Sequence, residues 1–416
     1  MTRRALSTEF RLAAACATWP PSDDRNEAIR VAAAAVVDWP RFVRLTARHR
    51  IFGLVHDGLT RAQPDLPPEI TRQIRAQAES LVRQDLAKAA ECLRLQQMFG
   101  KAGVPILFVK GAALALLAFG NLGLRSSQDI DLLVLPDALP EAIALLTAAG
   151  YKRYNPQPDI GDDLLRLLTP LCKDFGFVHP STGIVIELHW RLFLNPHAMI
   201  EASLLESSRM VRLSAGAELR TLGEEDLFAY LCAHGACHWW NRLQWLADIN
   251  ALLTATDRGI EQLISAATAR GAGRAADQAL LLCRRLFRTT LPATVVSKSK
   301  NSAIAHWLEA TALAVMTSDR GEHHPHDARF GTTRGSLSSF LLSPSWRYRL
   351  AEIKVHLVNQ TDVLTLPLPK PLWFLYPLLR LPLWLWRHAA KRRIPPRGVP
   401  SIGGISALRE SRKERF

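Results

Sequence analysis

124-LRSSQDIDLLVLP-136 has the apolar density of a buried β-strand, in Ile130, Leu132, Leu133, Val134 and Leu135, yet it carries Asp129 and Asp131. Residues two apart in a strand point to the same face, so the two carboxylates are expected side by side. Acids that close repel each other and lose solvation. A divalent cation between them offsets that cost: Mg²⁺ takes oxygen ligands at about 2.0–2.1 Å and usually keeps waters and substrate phosphates as its other ligands. By itself the pair also reads as a strand end, where aspartates meet solvent or cap a turn. The neighbouring residues therefore carry the decision.

Lys110-Gly111 stands where an apolar run, PILFVKG, meets a helical run, AALALLAFGN. A glycine there lets backbone N–H groups at a helix N-terminus approach phosphate, and Lys110 adds a mobile positive charge. Arg125, four residues before Asp129, is a candidate for bidentate phosphate binding. In IVIELHW the alternation puts Ile184, Ile186, Leu188 and Trp190 on one face and Val185, Glu187 and His189 on the other. Glu187 reads as the partner of a neighbouring arginine or as a third carboxylate facing the first two. In the second case it would complete a two-metal arrangement and could act as base on an incoming hydroxyl.

Residues 1–100 read as helices, including the long amphipathic run EITRQIRAQAESLVRQDLAKAAECLRLQQMFGKAG. Residues 101–195 read as strand, helix, strand, helix and then a hairpin around Pro180-Ser181-Thr182-Gly183. Residues 196–365 read as helical again, with a polar, His-rich loop at 320–336 expected to be a disordered insertion. A Trp/Pro-rich amphipathic segment at 366–393 and a basic tail at 394–416, expected to be disordered, close the chain. The expected fold class is α+β, a small mixed-sheet core flanked by N-terminal and C-terminal helical regions.

Lys110-Gly111, Arg125 and Asp129-Ile130-Asp131 within strand–helix–strand resemble the core of the DNA polymerase β-type nucleotidyltransferase superfamily. More narrowly, the chain resembles the bacterial family of uncharacterised nucleotidyltransferases. The shared blocks are KGAAL…R…DIDLLV, the ELHW strand, 234-HGACHWWNRLQWLADI-249 and 366-LPLPKPLWFLYPLLR-380, so the resemblance covers roughly residues 85–390. It implies that Asp129, Asp131 and Glu187 are catalytic and bind Mg²⁺ (or Mn²⁺), while Gly111 shapes the phosphate turn. It also implies in-line attack of an acceptor hydroxyl on the α-phosphorus of a nucleoside triphosphate such as ATP, with pyrophosphate released. One departure stands out: the superfamily usually has Gly-Ser or Gly-Gly at the turn, and this chain has Gly111-Ala112, which removes one hydroxyl contact to phosphate.

In the helical block, His234, His238 and Arg242 read as cleft residues offered to nucleotide or acceptor, with Trp240 and Trp245 stacking on a base or packing. The competing reading makes these rings core and pairs Asp248 with Arg242. His234, Cys237 and His238 lack a fourth ligand for structural zinc. From Leu366 to Phe416 there are eleven Lys or Arg against two Glu, which is +9 of the net +14. The rest is only mildly basic, which disfavours long nucleic acid and leaves a small molecule, sugar, peptide or protein as acceptor. Residues 372–393 combine Trp, Leu and basic flanks in a way that suits an anionic membrane surface, but 372–386 is too short to span a bilayer of about 30 Å.

Glu9 and Arg11 interrupt the apolar region that a signal peptide needs, and six cysteines without framework spacing fit reduced thiols. The expected location is cytoplasmic, peripheral on the inner face of the membrane if the C-terminal segment binds lipid. The alternative function is a non-catalytic nucleotide-binding or membrane-associated regulatory protein on the same fold.

Overall fold

The period change after Gly103 is where the sheet begins. The computed structural model describes residues 6–158, 160–256, 258–300, 302–318, 331–358 and 360–393. Ahead of the sheet lie α1 (Thr8–Ala17), α2 (Asp23–Ala34), α3 (Trp39–His49), α4 (Phe52–Ala62) and α5 (Pro68–Lys101). Pro68 opens α5 in its first turn, where an N–H would have no intrahelical acceptor, and the helix's 34 residues run about 51 Å.

Then come β1 (Ile106–Phe108), α6 (Gly111–Phe119), β2 (Ile130–Val134), α7 (Leu139–Ala148), β3 (Lys152–Asn155) and α8 (Asp162–Leu168). They are followed by β4 (Asp174–Val178), β5 (Val185–His189), β6 (Arg209–Ser214) and β7 (Ala217–Thr221). The C-terminal helices are α9 (Glu224–Cys237), α10 (Leu243–Ala255), α11 (Ile260–Ala269), α12 (Gly273–Phe287), α13 (Ala293–Lys300) and α14 (Ala303–Met316). After these come α15 (Gly331–Leu341), α16 (Trp346–Leu357), α17 (Gln360–Thr365) and α18 (Tyr376–Arg393).

Among the described residues, seven strands form one mixed sheet in the order β3-β4-β5-β2-β1-β7-β6. β2 runs parallel to β5 and antiparallel to β1, and β4–β5 is the hairpin expected around Pro180–Gly183. Strand alternation divides the core. Ile106, Phe108, Ile130, Leu132, Val134, Ile186 and Leu188 face α5 and α7 through Leu95, Phe99 and Leu146. Leu107, Val109 and Leu133 face the other way, into the larger core with α6, α9 and α10. Asp131, Glu187 and His189 share the parity of Leu133, so they lie on this second, helix-covered face.

The structure changes several local readings. β2 starts at Ile130, so Asp129 lies at a bend before the strand and not inside it. β3, β6 and β7 fall in stretches read as a polar connection and as helical. Residues 331–336 of the expected disordered loop begin α15, and 319–330 lie outside the described residues. Trp239 and Trp240 turn the chain from α9 to α10 with φ of +54° and +53°. Left-handed non-glycine residues cost roughly 1–3 kcal/mol each. The turn persists because Trp240 is fully buried against Gly235, where a Cβ would stand 2.3 Å from its ring.

The C-terminal segment is divided in its exposure. Val363 and Tyr376 are buried under the sheet, and the Tyr376 hydroxyl donates to the Leu366 carbonyl at 2.8 Å. Phe374 (68%), Leu378 (73%) and Trp386 (62%) stay exposed. Among the described residues no helix is long and apolar enough to cross a membrane. The tail at 394–416 lies outside the described residues.

Candidate functional site

The register of β2 on β5 builds the site. Asp131 pairs with Glu187 and Leu133 with His189, so the first two side chains stand side by side and the third is one pleat further on. One oxygen from each carboxylate and one His189 ring nitrogen lie within 4.8 Å of one another, and all three residues are buried. His189 Nε2 is 3.3 Å from Asp131 Oδ1 and 3.7 Å from Glu187 Oε2. Asp129 is not a member of this group and is half-buried at the mouth of the strand.

Cations balance these acids. Lys110 caps α6, and its Nζ lies 3.3 Å from Asp131 Oδ1 and 5.8 Å from the centre of the Tyr230 ring. Burial would raise the Asp131 carboxyl, but the Lys110 ammonium and the hydrogen bond from His189 outweigh it and bring it down to about 2. Burial and the Lys173 charge push the His189 imidazole down, and the carboxylates of Asp131, Glu187 and Asp174 pull it above its ordinary value. Gly111 has φ +65°, a left-handed conformation that favours glycine, and the nearest atom to a Cβ there would be Ser127 Oγ at 3.8 Å.

The loop ahead of β2 is tied down from two sides, by α5 and by α10. Asp85 accepts from the Ser127 N–H at 3.1 Å, and the Lys88 ammonium donates to the Ser127 carbonyl. Gln244 donates to the Ser126 carbonyl at 2.8 Å. Arg125 Nε donates to Asp248 Oδ1 at 3.0 Å, with both side chains buried. Arg125 therefore reaches α10 and not the carboxylate cluster, and it, not Arg242, is the partner of Asp248.

α9 covers the carboxylates. Tyr230, His234 and His238 recur every four residues, with ring centres 5.5 Å and 4.7 Å apart, and Trp245 stands 5.0 Å from His234. Arg242 lies over Trp245 at 5.6 Å. Burial, with Lys110, holds the His234 imidazole well below its ordinary range, so it is neutral at pH 7. His238 is exposed at the outer end of the row. Of the residues expected from the sequence, the structure brings Asp131, Glu187 and Lys110 together and sets His234, His238 and Arg242 in an adjoining aromatic wall.

Sequence reasoning missed Lys173, Asp174, His189 and Tyr230. His189 was legible, since it lies two residues from Glu187 on the same face. Asp174 faces His189 across β4–β5, and Lys173 Nζ pairs with it at 2.8 Å, a placement visible only once the hairpin register is known.

The donor set fits a divalent cation. Buried carboxylates that share an edge with one imidazole are the oxygen and nitrogen donors such an ion takes, and they converge without help from the backbone. A nearby ammonium and the start of α6 are suited to phosphate. Against this geometry, residues 35–288, more than half of the chain, match the family model described as uncharacterised nucleotidyltransferase. No curated protein matches the chain.

Proposed function

The chain belongs to the uncharacterised nucleotidyltransferase family, and from that premise we propose that this enzyme moves a nucleoside monophosphate from a nucleoside triphosphate to a hydroxyl acceptor, releasing pyrophosphate. One observation carries the reading: Asp131 and Glu187 are paired across β2 and β5, with Lys110 against Asp131 at the Gly111 turn. Asp131 and Glu187, with Asp129 at the strand mouth, would hold Mg²⁺ or Mn²⁺. When bound, such an ion supplies charge stabilisation to the attacking and leaving oxygens.

The chain's own residues account for the rest. Lys110 binds phosphate as a point charge, and the Gly111 turn lets the first N–H groups of α6 approach it. Glu187 accepts the proton of the acceptor hydroxyl. Neutral His234 offers a hydrogen bond without adding charge, and His238, Arg242 and Trp245 form a wall for a base or acceptor ring. Arg125 works through position, holding the loop that starts β2.

The test incubates the purified protein with Mg²⁺ or Mn²⁺, each of four α-³²P-labelled nucleoside triphosphates and cell extract. Label on a small molecule, sugar, peptide or protein, with pyrophosphate released in equal amount, is the expected result. Absence of both transfer and metal-dependent nucleotide binding would overturn the reading. The mildly basic body disfavours long nucleic acid as acceptor.

The exposed Phe374, Leu378 and Trp386 also support contact with an anionic membrane surface, because no Asp or Glu lies between residues 363 and 409 to oppose the basic residues. Leu378→Glu with Trp386→Glu is expected to cut flotation with phosphatidylserine vesicles by about tenfold or more without changing thermal stability. Equal flotation of variant and wild type would exclude this face as the anchor.

A further inference from the structure

We propose that His189 is itself a ligand of the cation that Asp131 and Glu187 would hold, so that the position is a mixed nitrogen–oxygen site preferring Mn²⁺ and other first-row transition ions to Mg²⁺. The inference rests on the nucleotidyltransferase reading and deepens its metal site.

Distances support it first. Two donors about 2.0–2.2 Å from one ion stand ~3.0–4.4 Å apart, depending on the angle between them. Nε2 of His189 is 3.3 Å from Asp131 Oδ1 and 3.7 Å from Glu187 Oε2, inside that window without movement of either strand. His189 is only 3% exposed, so its imidazole is committed to this space.

The second nitrogen supports it independently. Nδ1 of His189 is buried and has no hydrogen-bond partner among the described residues, an arrangement that is costly unless something satisfies it. The nearest acid is Asp174, whose Oδ2 is 3.9 Å away and which the β4–β5 register sets opposite His189. Metal-bound histidines almost always present their other N–H to a carboxylate or carbonyl, which fixes the tautomer and the ring plane. Asp174, held by Lys173, is that carboxylate. With Nε2 on a cation, Nδ1 keeps its proton and a short adjustment of the Asp174 side chain satisfies it.

The chemistry then follows from ligand type. Imidazole suits first-row transition ions, whereas Mg²⁺ favours an all-oxygen set with several waters.

Pulsed EPR of the full-length protein loaded with Mn²⁺ is the experiment. Wild type is expected to show ¹⁴N modulation from a coordinated imidazole, replaced by ¹⁵N modulation when only histidine is labelled. His189→Gln is expected to lose it and to bind Mn²⁺ at least about tenfold more weakly, with Mg²⁺ affinity changing less. Asp174→Asn should keep the modulation and weaken Mn²⁺ by about 10–100-fold. Bound Mn²⁺ with no histidine nitrogen coupling in wild type would overturn the inference and leave His189 as a hydrogen-bond partner of the acids. Failure to bind Mn²⁺ would overturn it as well. The label-transfer assay with Mg²⁺, run on the same preparations, reports separately on the nucleotidyltransferase reading.

Discussion

Asp131→Asn is expected to lower nucleotidyl transfer by about 10³-fold, the order of loss seen when a group that stabilises transition-state charge is removed. The substitution keeps shape and size and removes only the charge. Asp131 is the best placed of the three acids: it pairs with Glu187 by register, touches both Lys110 and His189, and is buried. Asp129→Asn is expected to cost less, because Asp129 sits at the bend and outside the converged group. Initial rates of label transfer, corrected for folded fraction by circular dichroism, rank the two. A loss under about tenfold for Asp131→Asn would move the chemistry elsewhere.

The same carboxyl fixes a pH expectation. Its folded value, about 2, is below the ordinary 3.8, so the stability it contributes is present above pH 4 and is lost only as pH falls through 4 towards 2. Between pH 5 and 9 Asp131 stays ionised, and any acid limb in the rate there belongs to another group.

How much of this was legible in the sequence depends on whether the information is local. β2 and β5 are interior strands, and IDLLV and VIELH carry the apolar density that burial on both faces demands. β3 and β6 are the two edges of the sheet, where most side chains meet solvent and the alternation that reveals a strand is absent. The same contrast holds in the site. Asp131, Glu187 and Lys110 are announced by their neighbours, and His189 by its spacing from Glu187. Lys173 and Asp174 acquire meaning only through a cross-strand register, and Arg125 only through a partner 123 positions later in the chain. A positive residue beside an acidic motif fits phosphate binding and loop anchoring equally well until that partner is known.

Arg125 is therefore where the strongest stability effect is expected. Its side chain and that of Asp248 are 4% and 0% exposed, and the Nε–Oδ1 contact is 3.0 Å. Burial pushes the Asp248 carboxyl up while Arg125 pulls it down, with burial prevailing, so the pair holds an acid that is costly to keep charged. Among the described residues, Nη1 of Arg125 and Oδ2 of Asp248 have no hydrogen-bond partner, so each charge leans mainly on the other. Removing one member leaves the other buried and uncompensated, and Arg125→Ala or Asp248→Ala is expected to cost about 3–5 kcal/mol in urea unfolding. The paired replacement Arg125→Met/Asp248→Leu fills the same volume without charge and is expected to recover most of that loss, since apolar substitutes for a buried ion pair are often neutral or better. It should also bind nucleotide within a few-fold of wild type, because the guanidinium lies on α10 and not on the cluster. If Arg125→Met alone weakened nucleotide binding a hundredfold at unchanged stability, Arg125 would be a phosphate ligand that turns away from Asp248 when nucleotide arrives. In that event the tie between the D-x-D loop and α10 would be one the substrate breaks, and the order of events at the site would begin with that release.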